Sequence, residues 1–329
     1  MDDIANELKH YRDHFRGKVV FCNCDDPYES NFFKYFALNF NLLGLKKLIA
    51  TCYDGSPVMG NELLLRFDTP ESEPKKVAYK VEITEVDDYN GDGAVNLADV
   101  AYLLQNDKNV LSRLQRNGDF RSTECVELLK QSDIVCTNPP FSLFREYVAQ
   151  LMKYKKKFLI IGNKNALKYK EVFPYFMANT MWIGCTPMGQ DLLFEIPIKY
   201  EEQFLEEGKQ GSKYKIVDGK MLGRSPSIWF TNIDHSKRHD RLDLWKHYNT
   251  VDYPSYDNFD AINVDKVVDI PCDYDGLMGV PITFMDKYSP DQFEIVGVLN
   301  HGCDSEFDLA KPTLNGKDLY SRILIRRKQ

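Results

Sequence analysis

Apolar positions in this chain fall into short solid runs separated by stretches with helical spacing. Ile4, Leu8, Tyr11 and Phe15 share one helical face, and Gly17 follows as a stop. Lys18 to Cys22 reads as a buried strand that breaks into Asn23-Cys24-Asp25-Asp26-Pro27. A helix opens at Ser30-Asn31, carries Phe32, Phe33, Phe36, Leu38 and Phe40, and ends at Gly44; Lys47 to Cys52 is a second strand, closing in Tyr53-Asp54-Gly55. Strand, turn, helix, strand is a βαβ unit with a right-handed crossover.

The rhythm returns downstream. Glu124 to Lys130 predicts a short amphipathic helix, and Ile134-Val135-Cys136-Thr137 a buried strand. Ser142 to Met152 predicts a helix with Leu143, Phe144, Tyr147, Val148 and Leu151 on one side; Lys157 to Ile161 is a strand, Tyr169 to Phe176 a helix, and Ser227 to Asn232 a strand. Shorter strands are expected at 181–184 and 192–198. The alternation predicts an α/β fold: a Rossmann-like, doubly wound sheet over residues 1–245. Residues 61–117 interrupt it as an insertion, with an expected hairpin (Leu63 to Phe67, Val77 to Ile83), and 201–223 reads as an exposed excursion. From 246 to 329 the pattern turns to Tyr-, Asp- and Pro-rich segments with short strands at Phe293 to Leu299 and Tyr320 to Ile325, which predicts a smaller, irregular second region.

Composition narrows the class. The chain has 329 residues, 43% hydrophobic and 28% charged, which suits a globular protein of one large or two ordinary domains. No apolar run reaches membrane-spanning length, and Met1-Asp2-Asp3-Ile4 lacks a signal-peptide pattern, so a cytoplasmic protein with no membrane partner is expected. The eight cysteines are scattered without paired zinc spacing; Cys22-Asn23-Cys24 reads as small buried residues at a strand end. The net charge of −7 argues against a protein that holds nucleic acid by overall charge, but phosphate contact needs only a local basic face. The candidates are His235, Lys237, Arg238 and Arg241, followed by the stretch from Arg322 to Lys328.

The candidate chemistry lies at strand ends. In βαβ units ligands bind outside the carboxyl ends of the strands, where Asn23, Asp25, Asp26 and Asp54 fall. The Gly-rich dinucleotide fingerprint is absent, so these carboxylates suit a cationic, ribose-bearing ligand such as S-adenosylmethionine; the plainer reading is an acidic turn before a helix. Asp119-Phe120, one helix before the strand at 134–137, could bracket an adenine, carboxylate to amine and ring across its face. At Asn138-Pro139-Pro140-Phe141, Asn138 offers a strong neutral acceptor, the prolines stiffen the chain, and Phe141 offers a face for stacking. That combination suits a flat substrate with an exocyclic amine. Asp88, Asn90, Asp92, Asn96 and Asp99, with Gly93 at the sixth position, follow a calcium-loop spacing, so structural calcium is one reading; an Asx-rich cap on a helix from Leu97 to Leu104 is the other.

The chain resembles the EcoRI-type adenine-specific DNA methyltransferase family. The resemblance rests on residues 22–27 with 30–36, Ala50-Thr51-Cys52-Tyr53, Gly118 to Ser122, Thr137 to Arg145, Phe158 to Asn163, Trp229 to Asn232 and Gly279 to Thr283. It implies S-adenosylmethionine as methyl donor, double-stranded DNA as substrate and adenine N6 as acceptor, with a cognate restriction endonuclease as a partner. Asp25 and Asp26 then belong to the first cofactor motif, Cys52 and Tyr53 to the second, Asp119 and Phe120 to the adenine-binding one, and residues 246–329 to target recognition. The usual Gly-rich first motif is here Asp25-Asp26-Pro27-Tyr28-Glu29-Ser30-Asn31. The family's Phe-Tyr-Thr segment ahead of the first helix has no counterpart before Met1-Asp2-Asp3-Ile4, which predicts a shortened N-terminus and weakened cofactor binding.

Two other function classes fit the residues alone. The same acceptor cradle serves other planar amines, such as an RNA adenine or a protein glutamine, and residues 88–99 would suit a calcium-stabilised binding module.

Overall fold

The computed structural model describes residues 1–27, 30–52, 78–106, 111–190, 192–196, 198–207, 210, 213–300 and 311–328. The chain divides into two compact units: Met1–Ile161 with Thr231–Ile233, and Gly162–Phe230 with Asp234–Gln329. The division falls inside the expected 1–245 region.

The first unit is built on six strands: β1 Val19–Asn23, β2 Lys47–Thr51, β3 Tyr79–Ile83, β4 Leu111–Arg113, β5 Ile134–Thr137 and β6 Lys157–Asn163, in the order β4-β3-β2-β1-β5-β6. β2, β1, β5 and β6 are parallel, while β3 and β4 join antiparallel at the edge. Every residue of β1 and β5 is buried, so apolar cover lies on both faces, as parallel strands require. The solid apolar runs in the sequence arise from this double burial.

The βαβ unit is as the sequence predicts. Ser30 caps the helix Asn31–Leu38, accepting from the Phe32 and Phe33 amides at 3.1 and 3.2 Å. Phe32, Phe33 and Phe36 are buried beneath it, each contributing ~1.5–3 kcal/mol of transfer free energy. A second short helix, Phe40–Leu43, ends at Gly44 in the left-handed conformation with φ 60°. The expected N-terminal helix is instead split into Asp2–Leu8 and Arg12–Phe15 around a tight turn, with Ile4, Leu8, Tyr11 and Phe15 all buried. The first half of the expected hairpin, Leu63 to Phe67, lies outside the described residues. Its second half is β3, paired with β2 and β4.

In the second unit β7 is Trp182–Ile183. β8 Leu192–Glu195, β9 Tyr214–Val217 and β10 Lys220–Ser225 form a three-stranded sheet, so the region expected as an excursion is a helix, Ile198–Glu207, and a hairpin. The reason is a pairing the local sequence conceals: Leu222 to Ser225 aligns against Leu192 to Glu195. β11 Ser227–Thr231 is the neighbour of β7. A further sheet has the order β12-β13-β17-β14, from β12 Ile262–Asn263, β13 Met278–Pro281, β14 Phe293–Leu299 and, after the small ladder of β15 Thr313–Leu314 and β16 Lys317–Asp318, β17 Arg322–Arg327. Tyr256 sets the hydroxyl end of its ring against Gly279, where any β-carbon would collide with it, and donates its hydroxyl to Asn263 Oδ1 at 2.9 Å.

Among the described residues no helix is long and apolar enough to cross a membrane.

Candidate active site

The sheet order turns at β1. From β1 the chain goes to β2 on one side, and later from β5 to β6 on the other. Such a reversal opens a crevice at the carboxyl ends of the two strands. The ends that meet there are Asn23-Cys24-Asp25-Asp26 and Thr137-Asn138-Pro139-Pro140.

Asn23 ties this floor together. Its side-chain carbonyl accepts from Thr51 Oγ1, at the end of β2, at 2.9 Å, and its main-chain carbonyl accepts from the Thr137 hydroxyl at the end of β5. All three residues are buried, and the Tyr147 hydroxyl faces Asn23 from the helix Phe144–Lys153. Three strand ends are thus fixed by one asparagine. Cys24, next in the chain, takes φ 68°, a left-handed turn that glycine would adopt at no steric cost.

Asp25 and Asp26 follow at 6% and 8% exposure. Ser30 Oγ donates to Asp25 Oδ1 at 2.8 Å while capping its helix. Burial pushes the Asp25 carboxyl up to about 7; the Thr137 and Ser30 hydroxyls and the Asn138 backbone N–H pull it down, and Asp26 adds repulsion. Among the described residues, the groups that favour the charged form of Asp25 are hydroxyls and an amide. Tyr79 faces Asp26 and Cys52 from β3. Cys52 is buried, its amide donates to the Tyr79 carbonyl at 3.1 Å, and burial pushes its thiol up to about 12. Tyr53 lies outside the described residues.

Phe120 is buried edge-on against Tyr147, with ring centroids 5.0 Å apart. Asp119 is gripped by Arg121 at 2.7 Å, which holds its carboxyl below the usual range. Beside this floor the Asn138 segment is open. The Asn138 side chain is exposed, Pro139 is buried, and Phe141 is 40% exposed. Leu143 N–H closes on the Pro140 carbonyl at 3.0 Å and starts the turn that leads into the helix Phe144–Lys153. The segment is therefore braced from behind and presents its acceptor and its ring outward.

The expected basic cluster is largely committed to its own unit. His235 is buried, its Nε2 3.1 Å from the Ile183 carbonyl, and Lys237 Nζ donates to the Cys185 carbonyl at 2.7 Å. Arg238 is buried, pairs with Asp234 at 3.1 Å and lies 3.7 Å over the Trp182 ring. Arg241 is exposed, as is Trp245, at 68%. Sequence reasoning passed over Trp245; its signal is a large aromatic set among charges, Leu244-Trp245-Lys246.

The loop from Asp88 to Asp99 satisfies itself. Asp88 accepts from the Gly91, Asp92 and Gly93 amides, and Asp99 from those of Tyr89, Asn90 and Asn96. Asn90 and Asn96 likewise accept from the Asp92 and Ala98 amides. Buried Asp99 caps the helix Leu97–Asn106, and these oxygens form no metal-binding group among the described residues. A calcium site, and with it a calcium-stabilised binding module, is not supported: the oxygens are spent on backbone donors.

The chain is 47% identical over 332 residues to Type II methyltransferase M.EcoRI of Escherichia coli, covering 99% of this chain and 91% of that one. It is 34% identical over 343 residues to Type II methyltransferase M.MpnI of Mycoplasma pneumoniae, covering 100% and 93%, and 33% identical over 344 residues to M.MgeORF184P of Mycoplasma genitalium, covering 100% and 94%. No solved structure is significantly similar. With the family model described as adenine-specific methyltransferase EcoRI matching residues 1–328, this chain belongs to that family.

Proposed function

We propose that this DNA adenine methyltransferase holds S-adenosylmethionine over Asn23, Asp25, Asp26 and Cys52 and receives a flipped-out adenine between Asn138 and Phe141. The observation that carries this reading is the buried Asp25 carboxyl facing the Asn138 backbone, which sets a titratable acid directly against the acceptor segment. The buried Asp25 carboxyl, held by hydroxyls, fits a ligand that brings a positive charge and ribose hydroxyls. Asp119, freed from Arg121, and Phe120 are the residues we assign to the donor's adenine. When bound, the donor supplies an activated methyl on a sulfonium.

The protein's part is positioning. The adenine amine is a poor nucleophile because its lone pair is delocalised into the ring. Asn138 Oδ1 and the Pro139 carbonyl each accept one of its N–H bonds, drawing the nitrogen toward a tetrahedral shape; the Pro140 carbonyl is already taken by Leu143. Phe141 stacks on the flipped base, which cannot reach the pocket from inside a duplex. We assign residues 246–329 to target recognition, with Arg241 and Trp245 at its approach: an exposed cation for phosphate and an exposed ring that can stack or wedge at a base step. The protein acts in the cytoplasm, alongside a restriction endonuclease of the same specificity.

Methyl incorporation from labelled S-adenosylmethionine into duplex DNA, set against RNA and protein acceptors, tests the reading. Incorporation at adenine N6 of duplex DNA is expected. Preference for RNA or protein would overturn it.

A further inference from the structure

Away from the site described above, His247, Cys272 and Asp273 bring an imidazole nitrogen, a thiol sulfur and a carboxylate oxygen within 4.8 Å of one another. His247 Nδ1 lies 2.9 Å from Asp273 Oδ2 and 3.7 Å from Cys272 Sγ. We propose that these three residues form a binding site for a first-row transition ion of the Zn²⁺ type.

A proton relay is the first alternative for a thiol, an imidazole and a carboxylate. It requires the two ring nitrogens to be divided, one to the thiol and one to the carboxylate. Here a single nitrogen, Nδ1, faces both. One nitrogen cannot donate to the carboxylate and accept from the thiol at once, so the three donors converge on a point, as ligands do. The sulfur–nitrogen spacing agrees: a tetrahedral ion with about 2.3 Å to sulfur and about 2.0–2.1 Å to nitrogen has a sulfur–nitrogen edge of ~3.5 Å, while the nitrogen–oxygen pair, 2.9 Å apart, opens to ~3.3 Å as the ion replaces the shared proton. Borderline-soft Zn²⁺ or Co²⁺ accepts all three ligand types, whereas Ca²⁺ and Mg²⁺ avoid sulfur.

The backbone prepares the group. Lys246 pairs with Pro271 in a parallel bridge, and the Cys272 amide donates to the Lys246 carbonyl at 2.8 Å, which sets His247 beside Cys272 and Asp273. The Tyr248 amide donates to Asp273 Oδ1 at 2.8 Å and leaves Oδ2 toward His247. Such outer bonds orient ligands at metal sites. Binding displaces the Cys272 thiol proton to solvent and leaves a fourth position for water or another donor. The ion would clasp the segment that carries Arg241 and Trp245, so it acts as a fastener on the proposed approach to DNA; the site itself does not depend on that reading.

The test uses the full chain, stripped with a chelator and kept reduced without added thiol. Titration with Co²⁺ should bind one equivalent, with a thiolate-to-cobalt absorption band and the visible bands of tetrahedral cobalt, and Zn²⁺ should displace it. Cys272→Ser should abolish the thiolate band, and His247→Ala should weaken Zn²⁺ binding at least tenfold in competition with a chromophoric chelator. Asp273→Asn gives an independent variant should either fold poorly by circular dichroism. No binding at micromolar metal, or a thiolate band that persists in Cys272→Ser, overturns the proposal.

Discussion

Asp25, at the turn after β1, faces the backbone N–H of Asn138, at the end of β5, so the buried carboxyl lies against the acceptor segment. Its ionisation follows. The carboxyl is raised from 3.8 to about 7, mainly by burial, so the folded protein holds a proton there that the unfolded chain releases. The folded state therefore loses this contribution as pH rises from about 4 to about 7.

A bound cation reverses the preference. Cofactor binding near pH 6 should release up to one proton and tighten as pH rises to about 8, and Asp25→Asn should flatten both effects. Calorimetry in buffers of differing ionisation heat measures the proton directly. Binding without proton release would remove Asp25 from beneath the cation.

Asn138→Ala should lower the transfer rate by about 10²–10³-fold or more, because it deletes an acceptor needed chiefly in the transition state. Cofactor affinity should change less than about threefold, since the side chain is exposed and the backbone N–H that faces Asp25 is kept. Single-turnover kinetics with equilibrium cofactor binding separates the two. A comparable loss in both would mean the residue supports the floor instead.

Thr51→Val strips the hydroxyl that donates to Asn23 Oδ1 in a buried setting. We expect a loss of about 1–2 kcal/mol in denaturant unfolding, and a weaker cofactor grip than that loss alone would produce.

Arg241→Ala and Arg238→Ala should part company. The exposed Arg241 should weaken DNA binding and reduce the slope of log K against log salt by about 1. Arg238, stacked on Trp182 and paired with Asp234, should cost about 2 kcal/mol of stability and leave that slope unchanged. Trp245→Ala should reduce discrimination between sites more than affinity for random duplex. Fluorescence anisotropy over a salt series, with cognate and random duplexes, reads all three.

What could be read in the chain beforehand was what its physics makes local. The strands β1, β2, β5 and β6 announce themselves as apolar runs because both faces are covered, and Asn138-Pro139-Pro140 is stiff wherever it occurs. Ser30 as a helix cap is equally local. Thr51 and Thr137 gave no sign, because their partner Asn23 is 28 and 114 positions away and the bond exists only once three strands lie side by side. Arg238 misled for the opposite reason: a basic run looks solvated until a ring from elsewhere in the chain stacks beneath it. The pairing of β8 with β10 was hidden likewise, since neither is strongly patterned and each needs the other.

Asn23 carries a consequence for how such proteins can diverge. Its two carbonyls serve two threonines on different strands, so a change at any one of the three positions orphans a buried group on another. Positions 23 and 51 should drift together or stand still among relatives, whereas Thr137, bonded to the main chain, is constrained on its own. A lineage that swaps one is expected to show its compensating swap at the end of a neighbouring strand, which makes the floor of the pocket a record of shared ancestry as well as a support for chemistry.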